Sequence, residues 1–249
     1  MRHEEVDRVP IDLGGTDVSS IAIGPYRRLC EALALEATPY FIVDTSQQIV
    51  IVDDLVADRV GSDAKAIWHL PDEWKDDYAY DQTLVKYPAE FKPVTLANGD
   101  KVLLDKDGEA YMRMPYGGFY YDICKHPLKD VQDPKDIDRY ANAFETMDRP
   151  AWYDMPLEKL AQTVKTIRQT SDRALIGCFA GHVFQAGQYL RGWSEFLLDL
   201  AVNPSLAEAI MDRLVQAHIE AFDCYAETVY QHVDIIEVCD DMGMQKSTW

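Results

Sequence analysis

Bases are scarce in this chain. Its 249 residues carry 24 Lys plus Arg against 43 Asp plus Glu, a formal net charge of −19 at pH 7, which repels nucleic acid and anionic lipid headgroups alike. Neither is expected as a partner. Long apolar runs are missing too: no stretch approaches the ~20 residues that span a bilayer. Met1-Arg2-His3-Glu4-Glu5 lacks the apolar stretch that a secretory signal carries behind its basic start. The expectation is a cytoplasmic protein. Cysteine is sparse, and Cys30, Cys124, Cys178, Cys224 and Cys239 are scattered, odd in number and never spaced C-x-x-C. That pattern argues against a disulfide framework and against a zinc ribbon. No His-x-Cys pair occurs, and neither Gly177-x-x-x-Gly181 nor Gly117-Gly118 has the spacing of a phosphate-binding loop.

What is present is enough apolar material for a sizeable core, 47% hydrophobic with 11% aromatic, so the chain reads as globular. Val9-Pro10-Ile11-Asp12-Leu13 predicts a first strand that stops at Gly14-Gly15. Helical spacing predicts helices over 26–35 and 47–60, and a second strand covers 63–68. Between 81 and 122 the texture changes to short β-prone runs, at 83–87, 94–97, 101–104 and 110–114, with Asn98-Gly99 and Asp107-Gly108 as tight-turn dipeptides between them. This predicts an antiparallel β insertion. Asp133-Pro134 opens a short polar helix, 156–168 is amphipathic, and 174–179 is a third buried strand. Asn203-Pro204 caps and starts a long helix running to about Val233, and 234–239 is a fourth strand.

Strands alternating with helices of this length predict a parallel sheet of βα units. Four such strands are half of the eight in a (β/α)₈ barrel, a fold of about 250 residues, and the last of them lacks a covering helix. The expected α/β architecture is therefore an incomplete (β/α)₈ TIM barrel, about the first four βα units, occupying 1–249 as one domain with the β insertion at 81–122 inside it.

The residues His3-Glu4-Glu5-Val6-Asp7-Arg8-Val9-Pro10-Ile11-Asp12-Leu13-Gly14-Gly15 resemble the opening of the uroporphyrinogen decarboxylase superfamily. His126-Pro127-Leu128-Lys129-Asp130 with Asp133-Pro134 resembles the family's link into a helix. Ile176-Gly177-Cys178-Phe179-Ala180-Gly181 with Tyr189 and Gly192, and Asp240-Asp241-Met242-Gly243-Met244-Gln245, are similar to two of its strand ends. The superfamily holds porphyrinogen decarboxylases and corrinoid-dependent methyltransferases. Membership would imply a barrel with its site at the carboxyl ends of the strands.

Holding a tetrapyrrole with eight carboxylates calls for arginines at the mouth, and the decarboxylases place them just after the first strand. Here that loop, Thr16 to Gly24, carries an acid and no base, while Arg27 and Arg28 come later. The decarboxylases also end the second strand with an Asp, where this chain reads Ile67-Trp68-His69-Leu70-Pro71. Tyr189 matches their active-site tyrosine. The resemblance is thus closer to the methyltransferase branch, whose members move a methyl group between a small-molecule substrate and a corrinoid, commonly with zinc activating a thiol. It implies corrinoid and zinc as cofactors of the full-length protein and a corrinoid protein as partner. The zinc of such relatives takes one His and two Cys, the His-x-Cys pair lying beyond Asp241. Cys124-Lys125-His126 has the reverse order. Uroporphyrinogen decarboxylation is the alternative, and a non-catalytic barrel fragment that pairs with a second copy through its strand edges is the other.

The candidate catalytic residues are Asp240, Asp241, His182 and Tyr189. A carboxylate at a strand end takes up a proton or orients a substrate hydroxyl or amine; the plainer role is capping the next helix. His182 after the third strand is a general acid or base, or a histidine satisfied by a carbonyl. The candidate substrate-binding residues are Asp12, Gly14, Gly15, Thr16, His69, Gln185 and Gln245. Gln185 and Tyr189 share a helical face, and paired glycines admit a ligand close to the backbone, as tight turns also do. His218 reads as a core-boundary residue.

Overall fold

The computed structural model describes residues 7–146, 157–244 and 247–248. Helix α1 (Ile23–Leu33) buries Ile23, Tyr26 and Cys30 along one face, the i, i+3, i+7 spacing of an amphipathic helix. Strands β1 (Ile42–Asp44) and β2 (Ile49–Val50) pair antiparallel. The helix expected over 47–60 therefore starts late. β-Branched Ile49 and Val50 favour the strand, and α2 (Asp54–Val60) begins only where Asp53 accepts the Leu55 N–H at 2.8 Å. Strand β3 (Ala64–Ile67) follows.

The predicted β insertion is present and begins earlier than expected. β4 (Trp74–Tyr78) and β5 (Leu84–Pro88) form one antiparallel pair. β6 (Val94–Thr95), β7 (Lys101–Leu104), β8 (Ala110–Met114) and β9 (Asp122–Ile123) form a four-stranded antiparallel sheet in sequence order. Gly99 and Gly108 take φ +88° and +80°, the left-handed conformation the turn dipeptides require. Asp100 fastens this sheet: it accepts from Asn98 Nδ2, Tyr116 N–H and Arg113 Nε, each at 2.8 Å.

A 3₁₀ turn (Pro134–Tyr140) leads into α3 (Ala141–Thr146), then α4 (Leu157–Thr170), β10 (Ala174–Ala180), α5 (Phe184–Arg191), α6 (Trp193–Val202), α7 (Pro204–Val229) and β11 (Ile235–Val238), with a terminal β12–β13 pair (Gly243–Met244, Ser247–Thr248). Pro204 starts α7 as predicted, but the Asn203 side chain makes no cap; its Nδ2 donates to Gln132 O at 3.3 Å. Leu160, Val164, Tyr225 and Val229 of α4 and α7 pack with Ile67 and Leu175 of the parallel sheet. Beside them Leu190, Phe196, Leu206, Ile210 and Leu214 join α5, α6 and α7. A buried ion pair, Arg191 Nε to Asp199 Oδ2 at 2.6 Å, ties α5 to α6. Among the described residues no helix is long and apolar enough to cross a membrane.

The incomplete (β/α)₈ barrel is not what forms. The strands divide among five small sheets, and the parallel one has three strands in the order β11-β10-β3. Antiparallel pairing claims the rest. Residues 9–13, expected to supply a further parallel strand, form no regular strand: Asp63 and Ala66 N–H donate to Ile11 O and Gly14 O at 2.7 and 3.3 Å, but Ile11 N–H goes to Asp63 Oδ2 at 2.8 Å and Leu13 N–H to Ser62 Oγ at 3.0 Å. Their donors are spent on side chains, and Val9 stays 81% exposed.

Candidate functional site

The carboxyl ends of β3, β10 and β11 and the inner wall of the insertion enclose a cavity of about 760 Å³. Its apolar surface comes from Val18, Val43, Trp68, Leu103, Met112 and Ile123. Six of its polar residues are acids: Asp17, Asp44, Asp105, Glu237, Asp240 and Asp241. Lys125 is the one Lys or Arg among the described lining residues, and Asp105 and Glu109 hold it at 2.7 and 2.5 Å.

Six of the residues proposed from sequence meet here: His69, His182, Gln185, Tyr189, Asp240 and Asp241. Asp240 sits at the rim as a helix cap. Its Oδ2 accepts Val183 and Phe184 N–H at 3.0 and 2.7 Å, and its Oδ1 accepts Gln185 N–H at 2.9 Å. Asp241 is exposed beside it. Gln185 Nε2 donates to Tyr189 Oη at 2.8 Å, one turn along α5. The His182 ring faces Cys239, with Nδ1 3.7 Å from Sγ, while its carbonyl sits 2.6 Å from Nε2 of His218. His69 is buried and stacks on Tyr225 with centroids 5.7 Å apart.

Asp12, Gly14, Gly15 and Thr16 lie outside the lining. They build the preceding turn: Asp12 Oδ1 accepts Gly15 N–H at 2.8 Å, and Thr16 N–H donates to Ser19 Oγ at 2.9 Å. A Cβ on Gly15 would come within 2.7 Å of Ala64 Cβ, so the missing side chain serves packing of the turn on β3. Gln245 lies outside the described residues.

Chemistry-bearing residues at the cavity that were not singled out from sequence include Asp17, Asp44, Asp105, Glu237, Cys178 and Cys239; strand spacing signalled Glu237 and Cys239. Successive strand residues point oppositely, so a charged residue at 237 inside an apolar strand and a cysteine at 239 share a face. Cys178 is the register partner of Glu237 on the neighbouring strand. Burial pushes the Cys178 thiol well above its ordinary value, and the charges of Glu237 and Asp17 add to this. Burial also raises the Glu237 carboxyl, against the opposing hydrogen bond with Cys239. Asp44, nearly enclosed, is raised by burial in spite of the Ser46 hydroxyl and N–H that it accepts.

No family model, curated protein or solved structure matches the chain.

Proposed function

We propose that this protein is an enzyme that transfers a methyl group between a small molecule held in the cavity and a corrinoid. The residues that resemble the uroporphyrinogen decarboxylase superfamily support it, and the lining of the cavity favours its methyltransferase side. Six acids and no arginine among the described lining residues make a poor receptor for eight carboxylates, which guanidinium forks would recognise. That acid-rich, arginine-free lining carries the reading. Methyl transfer does not depend on a closed barrel; it depends on a water-poor cavity that positions one small molecule.

A cavity of about 760 Å³ is of the size that takes a drug-sized ligand. The corrinoid, a much larger macrocycle, is therefore assigned to a partner protein that presents it at the mouth. Val43, Leu103, Met112 and Ile123 exclude water around the substrate, and Gln185 with Tyr189 supplies paired polar groups to orient it. His182 is placed to take up or release the proton that accompanies gain or loss of a methyl on oxygen, nitrogen or sulfur. The zinc set that the resemblance implies, one His and two Cys with a His-x-Cys pair, does not occur in the chain, and no step here runs through it. All five cysteines are free thiols, which supports the cytoplasmic placement.

The test mixes purified protein with a methylated corrinoid protein and a panel of thiol, amine and phenol acceptors, following the corrinoid spectrum. Acceptor-dependent loss of the methylcorrinoid bands is expected. A spectrum unchanged by every acceptor, or conversion of uroporphyrinogen to coproporphyrinogen, overturns the proposal.

A further inference from the structure

Three distant chain segments bring mixed donors to one corner of the cavity. One carboxylate oxygen each from Asp17 and Glu237 and the Sγ of Cys239 all lie within 4.8 Å of one another. The His182 ring borders the same sulfur, its Nδ1 at 3.7 Å and Nε2 at 3.9 Å. Ligands bound 2.0–2.3 Å from a tetrahedral zinc ion lie about 3.5 Å apart, so the sulfur and imidazole already stand close to that separation. The imidazole lies outside the mutual 4.8 Å grouping of the other three donors, so binding one ion with all four requires side-chain rotation of His182 as well as of the carboxylates.

A second observation points to a missing positive partner. Glu237 Oε1 is shut away from solvent with no hydrogen-bond partner, a costly state for a carboxylate oxygen. The charge of His182, itself a member of the cluster, favours ionised Glu237, and the nearby Lys125 is held by Asp105 and Glu109. Backbone geometry explains the convergence: Glu237 lies in β11 and Cys239 just beyond its end, Asp17 comes from the turn before α1, and His182 from the turn after β10.

We propose that Asp17, Glu237, Cys239 and His182 form a binding site for one divalent cation of the zinc class. Magnesium and calcium select oxygen cages; a thiolate and an imidazole beside two carboxylates select a borderline metal. Cys239 binds as the thiolate, its proton passing to solvent, and the cation's charge offsets carboxylates that otherwise face one another. The site is argued without the methyl-transfer reading but shares His182 with it: an imidazole that binds the cation gives up the proton-carrying role there, and the donor set differs from the one the family resemblance implies.

Cobalt(II) is the probe, because thiolate ligation gives it a near-ultraviolet charge-transfer band. Titrating the full chain with cobalt(II) chloride is expected to raise that band to a plateau at one equivalent, with displacement by zinc chloride. Cys239→Ser is expected to abolish the band and Cys178→Ser to keep it. Asp17→Asn and Glu237→Gln are expected to weaken cobalt binding by roughly tenfold or more, with circular dichroism spectra matching the parent chain. A measurement without variants guards against misfolding: zinc chloride is expected to slow alkylation of Cys239 by iodoacetamide while the exposed Cys124 and Cys224 react unchanged. The proposal falls if the parent chain shows no band, if the band survives in Cys239→Ser, or if zinc fails to protect Cys239.

Discussion

The carboxylate of Asp240 receives the backbone N–H of Phe184 at 2.7 Å, so the second residue beyond β11 holds the first turn of α5. Two neighbouring N–H groups, from Val183 and Gln185, end on the same carboxylate. These are the donors that a helix start leaves without partners, and a negative charge there also meets the positive end of the helix dipole. Asp240→Ala should lower stability by about 1–2 kcal/mol, whereas Asp241→Ala, at an exposed position, should stay within about 0.5 kcal/mol of the parent. Urea denaturation of the two variants checks the contrast.

Arg191 and Asp199 make the most enclosed ion pair, with side chains 5% and 8% exposed. Arg191 Nη1 also donates to the carbonyls of Leu128 and Lys129, at 2.7 and 2.5 Å. Removing one partner leaves an uncompensated charge, so Asp199→Ala should cost about 3–5 kcal/mol. Replacing both residues with apolar ones of similar size should cost clearly less, since no charge is then stranded. A thermal melt of single and double variants distinguishes these outcomes.

Asp100 gives the insertion its acid sensitivity. The Tyr116 N–H, the Asn98 amide and the Arg113 guanidinium together hold its carboxyl below the ordinary 3.8. A depressed folded-state value means that the unfolded chain binds the proton more readily. The stabilisation is fully present above pH 3.8 and is lost as pH falls through the lower folded value. Asp100→Asn should therefore be less stable than the parent at pH 7, and the gap should narrow in that acid range. Parallel pH series of denaturation midpoints read it directly.

Gly15 has no room for a side chain. A Cβ there would stand 2.4 Å from Asp12 Oδ1 and 2.7 Å from Ala64 Cβ, the second a rigid neighbour. Gly15→Ala should cost about 1–3 kcal/mol through overpacking. Gly61, whose Cβ position is open but whose φ is +73°, should show only the smaller strain of a left-handed alanine, about 1 kcal/mol. Denaturation of the two alanine variants compares them.

Local signals in the sequence were faithful where one residue decides the backbone. Asn98-Gly99 and Asp107-Gly108 announced hairpins because only such turns suit their left-handed glycines, and β7 and β8 fall on the predicted residues. Pro204 announced the start of α7. Legibility failed where pairing across the chain decides. Residues 9–13 have strand-like composition, yet Asp63 and Ser62 capture their N–H groups, and Ile49–Val50 pairs with β1 instead of extending α2. Barrel closure was inferred by counting strands, and only three of the described strands pair in parallel. At the cavity, strand-end position and the family resemblance point to His69, His182, Gln185, Tyr189 and the Asp240-Asp241 pair, all of which line it. Asp17 and Cys178 were hidden because their relevance arises only when the turn before α1 is laid against β10.

Tyr111 and Met112 come to the cavity from the insertion, Cys178 and Glu237 from the parallel sheet. The hollow has no existence apart from the seating of one layer on the other. Whatever occupies it acts as a rivet, and prising the layers apart means expelling the occupant. At a hundredfold excess over Kd that adds about 2.7 kcal/mol to the whole assembly. Melting of the insertion thus becomes a gauge of occupancy, able to screen for the natural ligand before any turnover has been seen.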